Sequence, residues 1–428
     1  MSNIKNIKEQ LINGEKDEAL LTVYTKESLE FQRQRHAEIA DTFAELYGDT
    51  DGIGMFSAPG RTEIGGNHTD HNHGKVLAAS INLDTVAFAA KRDDNIICEK
   101  SAGHGMNKVD VSSLEIDPKE FGHSAALIRG MCAGFKDYGY SYGGFNAAGT
   151  TQVLSGSGLS SSAAFEVMIG NILRSLYNNE IDNVEIAKIS QYSENVFFGK
   201  PCGLMDQMAC AVGGFISIDF KDPSEPVITS PEFDLSAIGY SLCIVDTGGN
   251  HADLTPDYAA VPAEMKAVAR ELGGEVLRDV SKLELLERIP ELREKCGDRA
   301  VLRALHFFAE NDRVDMQKAA LERGDIDSFF AGVRASGNSS FKYLQNVYTT
   351  KNVAEQGLSL ALCLTEEFLA TVEKPSACRV HGGGFAGTIQ AFVPTGNAHE
   401  LAKLMDRVFG EGACHILRIR TKGAICII

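Results

Sequence analysis

Apolar residues along the 428-residue chain recur with two different periods, and the switches between those periods mark out its elements. The first fifty residues are mostly polar, but in "SLEFQRQRHAEIADTFAELYG" Phe31, Ile39, Phe43 and Leu46 fall near helical spacing and predict a helix. Runs of β character follow in "GMFSA", "VLAASINLDTVAFAA" and "NKVDVSSL". "SAALIRGMCAGFKDYG" predicts a helix and "GGFNAAG" a strand, and "GLSSSAAFEVMIGNILRSLY" carries the strongest helical pattern of this half. In "VEIAKISQYSENVFFG" Ile186, Ile189, Tyr192 and Val196 share one face of a further helix, and "GGFISIDF" alternates as a strand.

Pro223, Pro226 and Pro231 in "KDPSEPVITSPEFDLS" mark the expected boundary between two domains, residues 1–225 and 236–428. Beyond it "YSLCIVDTG" reads as a buried strand and residues 299–323 as a long helix. The chain closes as strand, strand, helix, strand, strand in "SACRV", "GTIQAFV", "NAHELAKLMDRVFG", "CHILRIR" and "AICII". Strands and helices alternate with few clean strand–helix–strand units, which predicts a mixed α+β class rather than a doubly wound sheet.

Composition narrows the partners. The net charge is -17 and no basic run occurs, so neither nucleic acid nor an anionic membrane is expected to bind. Phosphates remain possible ligands, because backbone N–H groups and a metal ion override the global field locally. "MSNIKNIKEQLINGEKDEALL" lacks the apolar core of a signal peptide, and no run is long and apolar enough for a membrane span. Ten cysteines are scattered singly without a C-x-x-C pair, the usage of reduced thiols in a cytoplasmic protein, and zinc-finger and thioredoxin readings fail on spacing.

Three glycine-rich stretches carry the candidate chemistry. In "VLSGSGLSSSAAFEV" Ser155, Gly156, Ser157 and Gly158 feed directly into a helix. Its unpaired N–H groups and dipole suit an anion, and Ser160, Ser161 and Ser162 add hydroxyls, one of which could ligate Mg²⁺. A serine-rich turn capping a helix is the plainer alternative, and the absence of G-x-x-x-x-G-K-[ST] excludes a P-loop NTPase. In "RVHGGGFAGTIQAFV" Gly382, Gly384 and Gly387 satisfy G-x-G-x-x-G, but the alternating strand that follows argues against a dinucleotide fold and for a tight glycine turn. In "GKPCGLMDQMACAVGG" Asp206 stands among Leu204, Met205, Met208 and Ala209, where a carboxylate is either salt-bridged or catalytic; with Arg61 as partner the two readings merge. The stretch "GRTEIGGNHTDHNHG" crowds His68, His71 and His73 together; a transition-metal site is the weaker reading of that cluster, since no hydrolytic base accompanies it.

Taken together and in this order, "APGR…HTD", "GLSSSAA" and "CGLMDQ" resemble the GHMP small-molecule kinases, and within them the galactokinases, from Phe56 to the C-terminus. The resemblance implies the two-domain GHMP kinase fold, with a ribosomal protein S5 domain 2-like N-terminal domain and a ferredoxin-like C-terminal domain. It implies transfer of a phosphoryl group from MgATP to the anomeric hydroxyl of galactose, with ATP and Mg²⁺ required. Gly156, Ser157, Gly158, Leu159, Ser160, Ser161 and Ser162 would bind ATP, and Ser162 with Glu194, thirty-two residues on, would hold Mg²⁺. Asp206 would accept or orient the hydroxyl proton, and Arg61 would face the transferring phosphoryl group. Periodicity alone leaves Glu194 off the apolar stripe as a solvated glutamate.

The family's first motif runs approximately A-P-G-R-V-N-L-I-G-E-H-T-D-Y-N-G-G, against "APGRTEIGGNHTDHNHG" here. Arg61, Gly66, His68, Thr69, Asp70, Asn72 and Gly74 match; by the resemblance, His68, Thr69 and Asp70 belong to the sugar site, with Gly203 and with Tyr258, whose alternative is an exposed loop tyrosine. The departures are Glu63 for asparagine, Asn67 for glutamate, His71 for tyrosine and His73 for glycine, while His381 and Ala386 alter the last motif. The family glutamate at position 67 contacts the C6 hydroxyl, so Asn67 is expected to tolerate galactose, L-arabinose or galacturonate. Other readings are a different GHMP substrate, such as mevalonate or homoserine, and a non-catalytic sugar sensor on the same fold. The expected assembly is a monomer or weak dimer.

Overall fold

The computed structural model describes residues 3–154, 158–249 and 254–428. A first group of strands comprises β1 (Gly54–Gly65), β2 (Lys75–Lys91), β3 (Ile96–Ser101), β4 (Met106–Asp110), β5 (Phe145–Thr151), β6 (Phe215–Asp219) and β7 (Val227–Thr229). A second comprises β8 (Tyr240–Asp246), β9 (Ala377–Val380), β10 (Thr388–Pro394) and β11 (Cys414–Leu417), and β12 (Ile425–Cys426) ends the chain. The first group and β12 form one eight-stranded sheet ordered β12-β1-β2-β5-β3-β4, with β6 and then β7 added beside β2. Only β3 and β5 pair in parallel within it.

The large sheet is covered on both faces, which is why "VLAASINLDTVAFAA" reads as nearly unbroken apolar sequence. It is one strand of 17 residues, β2, whose Val86 and Phe88 face helices Ile4–Ile12 and Leu29–Tyr47, while Ala87 and Ala89 face helices Ser124–Asp137 and Ser161–Leu176. Helix Leu29–Tyr47 buries Ile39 and Phe43 as expected, but Phe31 and Leu46 are exposed. Its inward stripe is instead Gln32, Arg35, His36, Ile39 and Phe43, because a buried carboxylate on β2 draws a basic side chain into the interface.

The second sheet has the order β11-β8-β10-β9, all antiparallel, with helices Gly357–Leu369 and Thr395–Phe409 on one face. This is the ferredoxin-like arrangement, and the whole is mixed α+β, as expected. Its other face meets helix Ile326–Ser339 through an aromatic cluster of Tyr240, Phe329, Phe330 and Phe392 with ring centroids 5.0 to 5.7 Å apart. The glycines at 382–387 lie between β9 and β10, two antiparallel neighbours, so the G-x-G-x-x-G there serves no dinucleotide helix. Among the described residues no helix is long and apolar enough to cross a membrane.

Two departures from sequence expectation matter for the site. The helix predicted through residues 184–199 changes to a π-helical turn at Ser193–Phe198. The wider turn rotates the phase, so Val196 is exposed while Glu194 and Phe197 turn inward. In β1 the pairing with β2 is irregular between Pro59 and Arg61. Phe56 and Ala58 face the helices before that point, and Arg61 and Glu63 take the same side after it, an irregularity that re-aims side chains.

Asp84 on β2 is fully buried and locks the opposite face of the sheet. Arg35 and Arg420 pair with its carboxylate at 2.6 and 3.2 Å, and the hydroxyls of Ser57 and Tyr24 donate to it at 2.5 and 2.7 Å. Burial pushes this carboxyl up, but the two guanidinium groups outweigh it and hold it at about 2. Its folded value lies below the unfolded one, so its contribution is complete above the ordinary carboxylate range and is lost as pH falls toward 2. Asp84→Ala leaves two buried cations undercompensated and is expected to cost ~3–5 kcal/mol. Urea unfolding at neutral pH measures it; a loss under ~1 kcal/mol would show that the cluster does not hold these elements together.

Candidate active site

Arg61 leaves β1 just after its irregularity and meets Asp206 in the first turn of helix Met205–Val212. The pair is bidentate, with Nε donating to Oδ1 at 2.7 Å and Nη2 to Oδ2 at 2.8 Å. Ser160 donates its hydroxyl to the same Oδ2 at 2.5 Å. Burial pushes the Asp206 carboxyl up, but the Arg61 charge and the hydrogen bonds from Arg61 and Ser160 more than offset it, leaving the group below the ordinary carboxylate range. Asp206 therefore stays ionised at neutral pH while 31% of its side chain remains open, lining a cavity.

Arg61 also fixes the backbone at Gly158 and Leu159. Its Nη1 donates to the carbonyl of Gly158, and its backbone N–H donates to Leu159 O at 3.1 Å. Leu159 contributes that carbonyl and buries its side chain in the core. Ser160 sits at φ 61°, a left-handed conformation in a non-glycine residue, immediately before helix Ser161–Leu176. Such strain persists only where surrounding contacts over-determine it, here the bond to Asp206. Gly156 and Ser157, expected in the phosphate loop, lie outside the described residues.

Ser162 in the first turn of that helix donates to Glu194 Oε1 at 3.2 Å, and the Lys200 ammonium stands at the same distance from that oxygen. Gln207 donates to Glu194 Oε2 at 2.7 Å and lies 3.3 Å from Oε2 of Glu166. Glu166 is fully buried, and burial together with the nearby Glu194 charge pushes its carboxyl well up. Glu194 is therefore an oriented carboxylate with one oxygen facing a hydroxyl and a cation, a donor set that fits Mg²⁺ completed by water and phosphate oxygens. Among the described residues no three or more His, Cys, Asp or Glu side chains, His68, His71 and His73 included, are gathered as a metal-holding group.

The loop Gly66–Gly74 forms another wall. Asp70 aims a carboxylate oxygen at Gly203, where any Cβ would collide with it. His68 hydrogen-bonds Gly383 O through Nε2 at 2.9 Å, and burial depresses its pKa to about 4, so it is neutral and donates. Tyr258 is a half-buried residue of helix Thr255–Glu271, not an exposed loop residue; its hydroxyl donates to Gly384 O at 2.7 Å and its ring abuts Gly383. The cavity between these walls measures about 670 Å³ and is lined by Arg61, Glu63, His68, Asp70, Asp206 and Tyr258, among others. A larger cavity of about 820 Å³ lies over Arg334 and Cys378, but it gathers none of the residues that meet Asp206, so size does not choose the site.

Asn67 and Thr69 do not line this cavity. Thr69 is fully buried and its hydroxyl hydrogen-bonds the carbonyls of Gly66 and Lys75 at 2.8 and 2.6 Å, which closes the loop. Asn67 is also fully buried, and its amide is spent on the protein. Nδ2 donates to Glu63 Oε1 and Gly382 O, and Oδ1 accepts from Ser340 and Asn346. The side chain that sequence comparison singled out is thus a brace, and Glu63 beside it reaches the cavity.

Sequence reading missed the residues that brace this wall from a distance. Glu310 on helix Asp298–Glu322 accepts from Gly66 N at 3.0 Å, Asn311 accepts from Lys75 N at 2.6 Å, and His306 meets Asn67 O at 3.0 Å. Arg379 on β9 pairs with Glu63 at 2.8 Å. Only unusual polarity at buried helix and strand positions could have flagged them, since their partners lie more than two hundred residues away.

Comparison with known proteins agrees with this geometry. The galactokinase galactose-binding signature matches residues 41–91, and the GHMP kinases N terminal domain matches residues 126–214. The chain is 30% identical over 386 residues to a galactokinase of Streptomyces coelicolor, covering 89% of this chain and 95% of that one. It is 32% identical over 374 residues to a galactokinase of Actinobacillus pleuropneumoniae, covering 85% and 91%. The structure of Lactococcus lactis galactokinase complexed with galactose superposes with a TM-score of 0.75 at 25% identity, covering 90% of this chain and 98% of that one.

Removing the guanidinium tests the electrostatics of the site directly. In Arg61→Met burial acts on Asp206 without its main counter-charge, so the carboxyl should move from below the ordinary carboxylate range to above it. A carbon-13 NMR titration of Asp206 in both proteins measures this, and an unmoved titration would show that Arg61 does not set its charge state.

Proposed function

The chain belongs to the galactokinase family, and from that premise we propose that it transfers the terminal phosphoryl group of ATP to the anomeric hydroxyl of galactose, giving galactose 1-phosphate and ADP. The observation that carries this reading is the Arg61–Asp206 pair, which lines the cavity and is hydrogen-bonded to the start of the serine-rich helix. A polyhydroxylated ring fits the polar rim formed by Asp70, His68 and Tyr258. The N-terminal turn of helix Ser161–Leu176 supplies a positive dipole end for the ATP phosphates. Residues 1–225 would thus carry the sugar loop and phosphate loop, with 236–428 contributing Tyr258 and the glycine turn.

In the reaction the sugar oxygen forms a bond to phosphorus as the bond from phosphorus to the ADP oxygen breaks. The hydroxyl proton passes to Asp206. A carboxylate held below its ordinary range is a weak base but a constant acceptor, which favours orientation first and proton transfer late, once the oxygen is bonding to phosphorus. Arg61 fixes the carboxylate's plane and presents positive charge beside the transferred group. Ser162 and Glu194 would hold Mg²⁺, which supplies charge neutralisation of the phosphates when bound.

A coupled assay of ADP release across galactose, L-arabinose and galacturonate tests the activity; a protein that binds galactose yet releases no ADP would be a sensor, not a kinase. Asp206→Asn is expected to lower kcat by ~10²–10⁴-fold with ATP affinity retained. Near-normal turnover in the folded variant would remove Asp206 from the mechanism. Glu194→Gln should raise the Mg²⁺ concentration needed for half-maximal rate more than it raises the galactose KM. If the galactose KM alone rises, Glu194 does not serve the metal.

A further inference from the structure

One carboxylate in the cavity has no part in the mechanism above. Glu63 is 5% exposed and lines the cavity two residues beyond Arg61 on β1. Its Oε1 accepts from Asn67 Nδ2 at 2.9 Å and from Arg379 Nη2 at 2.8 Å. Among the described residues no protein donor meets Oε2. Arg379 in turn is fully buried, with Nη1 on Ile64 O and Nε on Val380 O, so it orients Glu63 without presenting a donor to the cavity.

Glu63 and Asn67 are the two positions where asparagine and glutamate stand in the opposite order from the resembled motif. The structure explains why both changed. The two side chains are hydrogen-bonded to each other, so exchanging them keeps one carboxylate and one amide in contact. What differs is which position offers a free carboxylate oxygen. Asn67 has used both donors and accepts twice, whereas Glu63 retains an unpartnered oxygen.

Pairing with β2 is regular from Arg61 to Glu63, so the two side chains share one face of β1. Their separation along the strand is ~6–7 Å, about the span of one sugar ring. With the reacting hydroxyl at Asp206, the far edge of the ring falls beside Glu63. Among the described residues Arg379 is spent on backbone carbonyls and Glu63, His68 is neutral, and Asp70 adds a second carboxylate, while the cavity's Arg61 and Lys200 are paired with Asp206 and Glu194.

We propose that Glu63 is the specificity-determining residue of the sugar site, accepting a hydroxyl hydrogen at the ring edge remote from the transferred phosphoryl group. It thereby selects a neutral sugar bearing a hydroxymethyl group over the corresponding sugar carboxylate. The inference rests on reading the cavity as a sugar site and identifies how that site discriminates. Asn67 is the positioning residue that holds the carboxylate in place.

Calorimetric binding and kcat/KM are measured together for galactose, L-arabinose and galacturonate. The wild type should prefer galactose over L-arabinose, which lacks the hydroxymethyl group, by ~10-fold or more, and should disfavour galacturonate further. Glu63→Gln should weaken galactose binding by ~10-fold and narrow the gap to galacturonate by a similar factor, with the ATP KM unchanged. A merely structural role for Glu63 would instead weaken all three sugars alike and leave the ratios between them unmoved. Unmoved ratios between sugars in folded Glu63→Gln overturn the proposal. If that variant fails to fold, equal wild-type affinity for galactose and galacturonate overturns it. Selective binding without ADP release would leave this inference standing while removing the kinase reading, and no binding of any of the three sugars would remove both.

Discussion

Arg61 sits where three backbones converge, and its guanidinium holds them in one arrangement. It is bidentate to Asp206 at the start of one helix, bonded to Gly158 at the start of another, and anchored on β1 two residues before Glu63. Arg61 is itself buried, so its charge left unmatched would be costly. That pairing keeps a carboxylate, the start of helix Ser161–Leu176 and the cavity in a fixed relation before any ligand arrives. Such preorganisation suits phosphoryl transfer, where alignment and charge placement are the protein's main contributions.

Stability and chemistry are drawn from the same kind of interaction at different depths. Asp84, Arg35 and Arg420 are buried on the face of the large sheet turned toward helix Leu29–Tyr47, where their charges tie together segments distant in sequence. Asp206 and Arg61 repeat that pairing on the face covered by helix Ser161–Leu176, but with part of the carboxylate left open to the cavity. Glu63 follows the same plan, oriented through Oε1 by Asn67 and Arg379 and with Oε2 met by no donor among the described residues. Half-satisfied acids at a cavity wall are poised for a ligand to complete them, whereas fully satisfied ones such as Asp84 act as rivets.

The sugar loop shows how far the supports reach. His68, Thr69 and Asp70 are local in sequence, yet Gly66, Asn67 and Lys75 are held by Glu310, His306 and Asn311, all on one long helix. The last glycine turn contributes carbonyls to His68, Tyr258 and Asn67. Packing from the second half of the chain therefore sets the shape of a wall built by the first half.

The fold class, most strands of both sheets, the long helix Asp298–Glu322 and the three glycine stretches were legible in the sequence, because periodicity and glycine placement are local properties. So was the identity of Arg61, Asp206, Ser162 and Glu194, though Glu194 only through the resemblance. Its burial depends on a π-helical turn that periodicity cannot anticipate. Nor could a pattern show that the irregularity after Pro59 would aim Arg61 and Glu63 into one cavity. The clearest divide is at Asn67 and Glu63. Sequence comparison showed that both depart from the family, but it could not say which one faces ligand, because the answer lies in hydrogen bonds to Gly382, Ser340, Asn346 and Arg379, all beyond residue 330. Residue type and spacing thus determined which chemistry the chain could perform. Long-range packing decided which acids were spent on the protein and which were left open to act.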